Sequence, residues 1–302
     1  MTKRGWILFS SLCVIWGIPY LLIRVAVTDL DPVFVAFART AIGTLVLLPI
    51  ALRRRALMPV LRRWPILLLY TLVEITGPWI LLGHAEVRLT SSTAGLLVAV
   101  VPLIGGLLLW ATGHERFDTR RVLGLILGFA GVAVLVGVDI NLDDLTAVGM
   151  VLLTALGYAI GPIIISRKLS DLPPTGVITA SLVLAAVIYA PFAAFAWPAT
   201  IPLNAGLSVL GLGLICTALA FILLFALIAE AGPARATVIT YVNPAVAILL
   251  GVLILSEPLT IGMAIGFPLV ILGSVLATAK SRSSKKSAAD LPADPSAAAL
   301  ER

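Results

Sequence analysis

Two charged residues stand inside stretches otherwise made of apolar side chains. Glu74 follows Trp64 by about ten positions in the run 64–84, and Arg39 lies about eight residues into the run 32–52. An ionisable group near the middle of a hydrocarbon layer costs roughly 2.5–3.5 kcal/mol on insertion scales, so it normally faces protein or water and has a partner or a task. If the two runs cross the layer as helices from opposite sides, a rise of about 1.5 Å per residue brings the charges to similar depth. The expectation is an Arg39–Glu74 pair beside a solute route, holding a charged or zwitterionic solute or letting Glu74 carry a proton. A static ion pair that joins two helices is the plainer alternative. Aromatic residues gather in related stretches: Trp16, Tyr20, Trp79, Tyr158 and Tyr241, with the amide of Asn243 just before Pro244. Tyr and Trp combine an apolar face with a hydrogen-bond donor, which suits a cavity for an amphipathic metabolite. Packing is the competing reading for each.

Other reactive types are sparse. Cys13 and Cys216 sit in apolar segments without metal-type spacing and read as small buried hydrophobes. Of the two histidines, His84 lies near the end of the third apolar run beside Glu86 and Arg88, an interfacial polar group that could gate an outer mouth. His114 falls in a turn. No metal centre, cofactor site or enzymatic constellation emerges from these residues. Pro19, Pro102 and Pro244 lie deep in apolar runs, where each removes a backbone donor and clashes with the preceding turn. They are expected to be kinks, as packing features or as hinges.

The elements that must carry these residues follow from composition. Of 302 residues, 60% are hydrophobic and 12% charged, against roughly 25% charged in a soluble domain. Apolar runs of near-spanning length recur throughout, about 20 residues being enough to cross as a helix. The spans are expected at 5–25, 32–52, 64–84, 92–112, 120–138, 146–166, 174–196, 206–228, 236–255 and 260–279. The result is an all-α polytopic membrane protein of ten helices.

The chain also repeats itself. Pro102, Glu115, Gly124 and Gly131 return as Pro244, Glu257, Gly266 and Gly273, each 142 positions later (244 − 102 = 142). Two units follow, 1–141 and 142–279, then a tail at 280–302 whose Ser, Lys, Ala, Asp and Pro predict disorder. Five spans per unit is an odd number, so the second copy enters the membrane from the opposite side. Inverted repeats of this kind recur in secondary transporters, with the solute site near the midplane and alternating access between the halves. Starting the N-terminus in the cytoplasm leaves all but Arg24, Arg39 and Arg88 of the 21 basic residues on the inner side. That agrees with the positive-inside rule and predicts two cytoplasmic termini. The +6 net charge therefore reflects topology, and no nucleic-acid partner is expected.

Gly124 with Gly128, and Gly262 with Gly266, have the four-residue spacing that lets helix backbones approach. They are expected to form a scaffold or a dimer contact. Glu115 and Glu257 close the turns after the fourth and ninth spans, where a carboxylate can accept N–H bonds at the start of the next helix.

The pattern resembles the EamA-type proteins of the drug/metabolite transporter superfamily over nearly all of residues 5–279. The carrying features are Trp16-Gly17, Pro32 to Arg39, Pro102 with Gly113-His114-Glu115-Arg116, Gly124, Gly131, Asn243-Pro244, Ser256-Glu257-Pro258, Gly266 and Gly273. The resemblance implies a ten-helix basket around a central cavity, in a bacterial cytoplasmic membrane, exporting amino acids, related metabolites or toxic compounds. Glu74 falls outside these motifs, which makes it a candidate for individual specificity. The expected partners are a small-molecule solute and the lipid bilayer, with a proton as the candidate coupling ion and a monomer or homodimer as the working unit. An uncoupled facilitator and a lipid-linked sugar flippase are the alternatives.

Overall fold

In hydrocarbon every backbone N–H and C=O needs a partner within the protein, which favours helix wherever the chain crosses. The computed structural model describes residues 1–112, 118–232 and 238–278. Glu115, His114 and the tail 280–302 lie outside the described residues. Among the described residues ten long apolar helices follow one another: α1 (Lys3–Asp29), α2 (Pro32–Arg53), α3 (Trp64–Glu86), α4 (Ser91–Ala111), α5 (Thr119–Asp139), α6 (Leu142–Leu169), α7 (Pro174–Phe195), α8 (Leu203–Ala231), α9 (Ile239–Leu255) and α10 (Ile261–Thr278). The longest, α6 and α8, overrun their expected bounds at both ends. At 17 residues α9 is the shortest, about 25 Å long. Leu45, Leu253 and Ile7 are among the large apolar side chains left exposed, as a lipid-facing surface requires.

Three pairs of repeat mates pack against each other, antiparallel. In the α2–α7 pair Gly43 meets Leu182 while Gly176 meets Ala56. In α4–α9, Gly95 meets Ala247 and the start of α4 meets Gly251. The α5–α10 pair is the most extensive. A Cβ on Gly124 would lie 2.5 Å from Ala277 N and 2.7 Å from Gly273 O, and one on Gly131 would lie 2.8 Å from Gly266 O. The glycine stripes thus make an intramolecular contact. Gly128 admits Leu103 of α4 to the same seam. Exchanging the two copies also maps α3 on α6 onto α8 on α1, and both contacts occur.

The prolines do not behave alike. Helix α1 breaks at Trp16-Gly17, where Gly17 N bonds to Val14 O at 3.0 Å and Pro19 opens the second segment. In α4 the bonds shorten to three-residue spacing, Ala99 N to Leu96 O and Val100 N to Leu97 O, and Pro102 again opens a new segment. Pro244, its mate, lies inside an unbroken helix. The segment break at Pro102 thus has no counterpart at its mate among the described residues. The break in α1 diverts the helical donor of Cys13 O. With its amide nitrogen turned inward, the orientation its neighbours require, Asn243 donates to Cys13 O at 3.3 Å and to Ile239 O at 3.0 Å.

Glu257 also departs from expectation. Its carboxylate caps α4, not the following α10: Ser91 N donates to Oε1 at 2.8 Å, Ser92 N to Oε2 at 2.9 Å, and Ser92 Oγ to Oε2 at 2.5 Å. Antiparallel packing sets the end of α9 beside the start of α4, and Ser256 in the left-handed region (φ 54°) turns the chain so that Glu257 reaches it. The N-terminus of α10 is served by Thr260 Oγ1, 3.2 Å from Met263 N, and by Asp139 Oδ1, 3.2 Å from Gly262 N. At the other end of the bundle Arg63 makes two 2.7 Å bonds to Asp171, which hold that exposed carboxyl below the usual range.

Candidate functional site

Helices α3 and α8 are repeat mates, and each loosens into a wide π-turn at nearly the same place: Thr71–Thr76 and Leu214–Leu219. Such bulges free carbonyls and often mark functional positions. Here each is reached by one polar side chain from the central α2–α7 pair. Tyr189 of α7 donates its hydroxyl to Thr76 O at 2.6 Å. Arg39 of α2 donates Nε–H to Thr217 Oγ1 at 3.0 Å, and Thr217 passes its own proton to Leu212 O at 2.8 Å.

The Arg39 guanidinium also lies over the Trp79 ring, 3.6 Å from its centroid, a geometry in which the ring face attracts the cation. The residue is 7% exposed. Among the described residues no carboxylate comes within 4 Å of it. The groups that feel its charge most are Tyr158, Cys216, Tyr189 and Tyr20. The sequence predicts an Arg39–Glu74 ion pair, and the structure does not contain it. Glu74 sits on the α3 bulge and turns toward Gly161 of α6, where a Cβ would collide with the carboxyl. Arg39 faces Trp79 and α8 instead. Glu74 Oε2 is buried without a hydrogen-bond partner among the described residues. Tyr158 is within electrostatic reach of both charges.

Arg39, Trp79, Tyr158, Tyr20 and Glu74 are thus brought into one neighbourhood. Trp16 and Tyr241 are not part of it. Trp16 packs edge-on to Phe221 at 6.3 Å, and the Tyr241 hydroxyl shares a 2.5 Å bond with Thr278 Oγ1 at the end of α10. Asn243 serves the α1 break. Thr217 and Tyr189 were not singled out in the sequence, although Thr217 follows Cys216, the repeat mate of Glu74. Glu86, expected at an interface, is fully enclosed. Its neighbours His84 and Arg88 are exposed, and His84 Nδ1 lies 2.8 Å from Ile80 O.

Two cavities lie at the end of the bundle that carries Glu86 and Glu257. One of about 380 Å³ is lined by Arg24, Thr28, Asp29, Thr90, Asn204 and Glu257, among others. The second, about 300 Å³, is bordered by Asp31, His84 and Arg88. Neither lining includes Arg39 or Glu74, so the central polar residues are closed off from both.

The model of the EamA-like transporter family matches residues 3–137 and again residues 145–279. The chain belongs to this family. This EamA-family protein is a multi-pass membrane transporter, which implies a small-molecule solute and a lipid bilayer around it. It is 28% identical over 297 residues to the uncharacterized transporter YvbV of Bacillus subtilis, covering 94% of this chain and 95% of that protein. It is also 28% identical over 252 residues to the uncharacterized inner membrane transporter YedA of Escherichia coli, covering 80% and 79%. A relative in Archaeoglobus fulgidus, likewise an uncharacterized transporter, shares 25% over 286 residues, covering 92% of this chain and 99% of that protein. A crystal structure of a protein 21% identical in sequence superposes with a TM-score of 0.67 over 92% of this chain and 98% of the other, which concerns the fold alone.

Proposed function

We propose that this transporter exports a zwitterionic, amino-acid-like metabolite across a bacterial cytoplasmic membrane by alternating access. The solute carboxylate is taken by Arg39 and its ammonium group by Glu74. One observation carries the reading: a buried guanidinium that donates to a threonine hydroxyl and lies over a tryptophan face, with no carboxylate within 4 Å among the described residues. A buried cation needs an anion or strong hydrogen bonds, and a planar carboxylate matches the guanidinium fork. Glu74, with an oxygen lacking a donor, offers the complementary charge, and Trp79, Tyr20 and Tyr158 supply the apolar walls. Residues 1–141 and 142–279 are the two moving units, both termini face the cytoplasm, and one chain is the working unit.

The test is uptake and efflux of a radiolabelled amino-acid panel in proteoliposomes, with Arg39→Gln and Glu74→Gln. Loss of a charge-assisted hydrogen bond of about 1.5–3 kcal/mol lowers affinity roughly ten- to 150-fold. Arg39→Lys is expected to recover only part of it, because an ammonium lacks the planar fork. Wild-type transport by correctly folded Arg39→Gln and Glu74→Gln proteins, or a panel with no transported member, would overturn the reading. Flux that only equilibrates, under any imposed gradient, would make the protein a facilitator.

A further inference from the structure

Glu86 ends α3 with its side chain wholly enclosed, and neither carboxyl oxygen has a hydrogen-bond partner among the described residues. Two sets of donors near it are engaged elsewhere. Arg24 Nη1 donates to the backbone oxygen of Glu86 at 2.5 Å and to Val87 O at 2.9 Å. The N–H groups of Ser91 and Ser92 are turned to Glu257. The charged and titratable groups that face Glu86 are Tyr20 and Arg24 from α1, Arg39 from α2, Tyr158 from α6, and Glu257 from the turn after α9.

An enclosed carboxylate with no donor on either oxygen is a costly arrangement. The Glu257 charge, held by the N-terminus of α4, opposes a second negative charge beside it. A proton on Glu86 removes both difficulties without moving any atom of the protein. The compensating cation for the ionised form is already next to it: Arg24 is bonded to the peptide oxygen of the same residue. Arg24 and Glu257 both neighbour Glu86 and line the cavity of about 380 Å³. A proton leaving Glu86 therefore has solution within one layer of side chains.

We infer that Glu86 is a proton-binding site of this transporter, neutral in the conformation described and ionised when Arg24 swings from the α3 carbonyls to its carboxylate. The proton passes to water in the cavity, and its positive charge is replaced at Glu86 by the guanidinium. Freed of Arg24, the last carbonyls of α3 lose their hold on α1, so protonation and the closure of this end of the bundle are linked. The inference rests on the transport reading for its role as coupling, but the protonation itself requires no solute.

Infrared difference spectra of the full-length protein in lipid, stepped from about pH 5 to about pH 10 to bracket free and buried carboxyls, test it directly. The expected wild-type result is a protonated-carboxyl band that disappears within the range. It should be missing from Glu86→Gln, displaced in Glu86→Asp and retained in Glu74→Gln. Arg24→Gln, lacking the compensating charge, should delay the loss by at least about one pH unit, a tenfold gain in proton affinity. A Glu86→Gln spectrum like that of the wild type overturns the inference. So does a band that never titrates, or one unmoved in Glu86→Asp, which decides alone if the glutamine variant does not fold. A failed amino-acid panel with this band behaving as described removes the solute assignment and leaves the proton site. A transported solute with no Glu86 band removes the proton site and leaves the solute.

Discussion

Glu257→Gln tests whether one carboxylate fastens the end of α9 to the start of α4. The wild-type group accepts three hydrogen bonds, from Ser91 N, Ser92 N and Ser92 Oγ. Glutamine has the same shape but only one accepting oxygen. Its NH₂ must face one of the two backbone N–H groups, donor against donor, while the serine hydroxyl can rotate to accept. One buried N–H is left unpaired, which costs about 1–3 kcal/mol. The missing charge at the helix N-terminus adds about 0.3–1 kcal/mol, more where the group is partly buried. The expected loss is about 1.3–4 kcal/mol. Reversible unfolding in mixed micelles, run as a cycle with Ser92→Ala, measures it. The two substitutions remove parts of one network, so their effects should fall short of additive by at least about 0.5 kcal/mol. Additive effects, or a Glu257→Gln protein within about 0.5 kcal/mol of the wild type, the range of an uninvolved surface position, would refute the fastening role.

Three further outcomes follow from the same contacts. Gly124→Ala places a methyl against backbone atoms of α10, at 2.5 Å from Ala277 N, so α5 and α10 must separate; a loss of about 1–3 kcal/mol is expected in the same micelle assay, whereas Gly137→Ala, with nothing near its Cβ, should not destabilise. Asn243→Ala removes the donor to Cys13 O and Ile239 O and should cost about 0.6–1.7 kcal/mol, from the average to the largest value for interhelical bonds in a membrane bundle; faster backbone hydrogen exchange around residues 12–18 would locate the damage. Arg63 holds Asp171 below the usual carboxylate range, so the pair contributes above the unfolded-state value and the contribution disappears as pH falls through the depressed folded one. Stability curves of wild type and Asp171→Asn should therefore converge in acid and differ slightly near neutrality.

The sequence by itself determined the solvent and the architecture. Apolar runs of spanning length leave the chain no option but helices in lipid, and the offset from Pro102, Gly124 and Gly131 to Pro244, Gly266 and Gly273 marks two related halves. The glycine spacing also marked a close helix contact, because a missing Cβ is a local property. The partners of the polar groups were decided only by tertiary structure. Arg39 and Glu74 have matching depth in the sequence, yet helix rotation and the π-turn in α3 send one toward Trp79 and Thr217 and the other toward Gly161. Glu257 precedes α10 but caps α4, since its nearest bare N–H groups come from a helix more than 160 positions away. Glu86 sits near a helix end, where hydropathy places water, and is enclosed by α1, α2 and α6. Hydrophobic pattern fixes which segments enter the bilayer because transfer free energy accumulates residue by residue. A hydrogen bond depends on direction, and direction is set by how packed helices turn relative to one another.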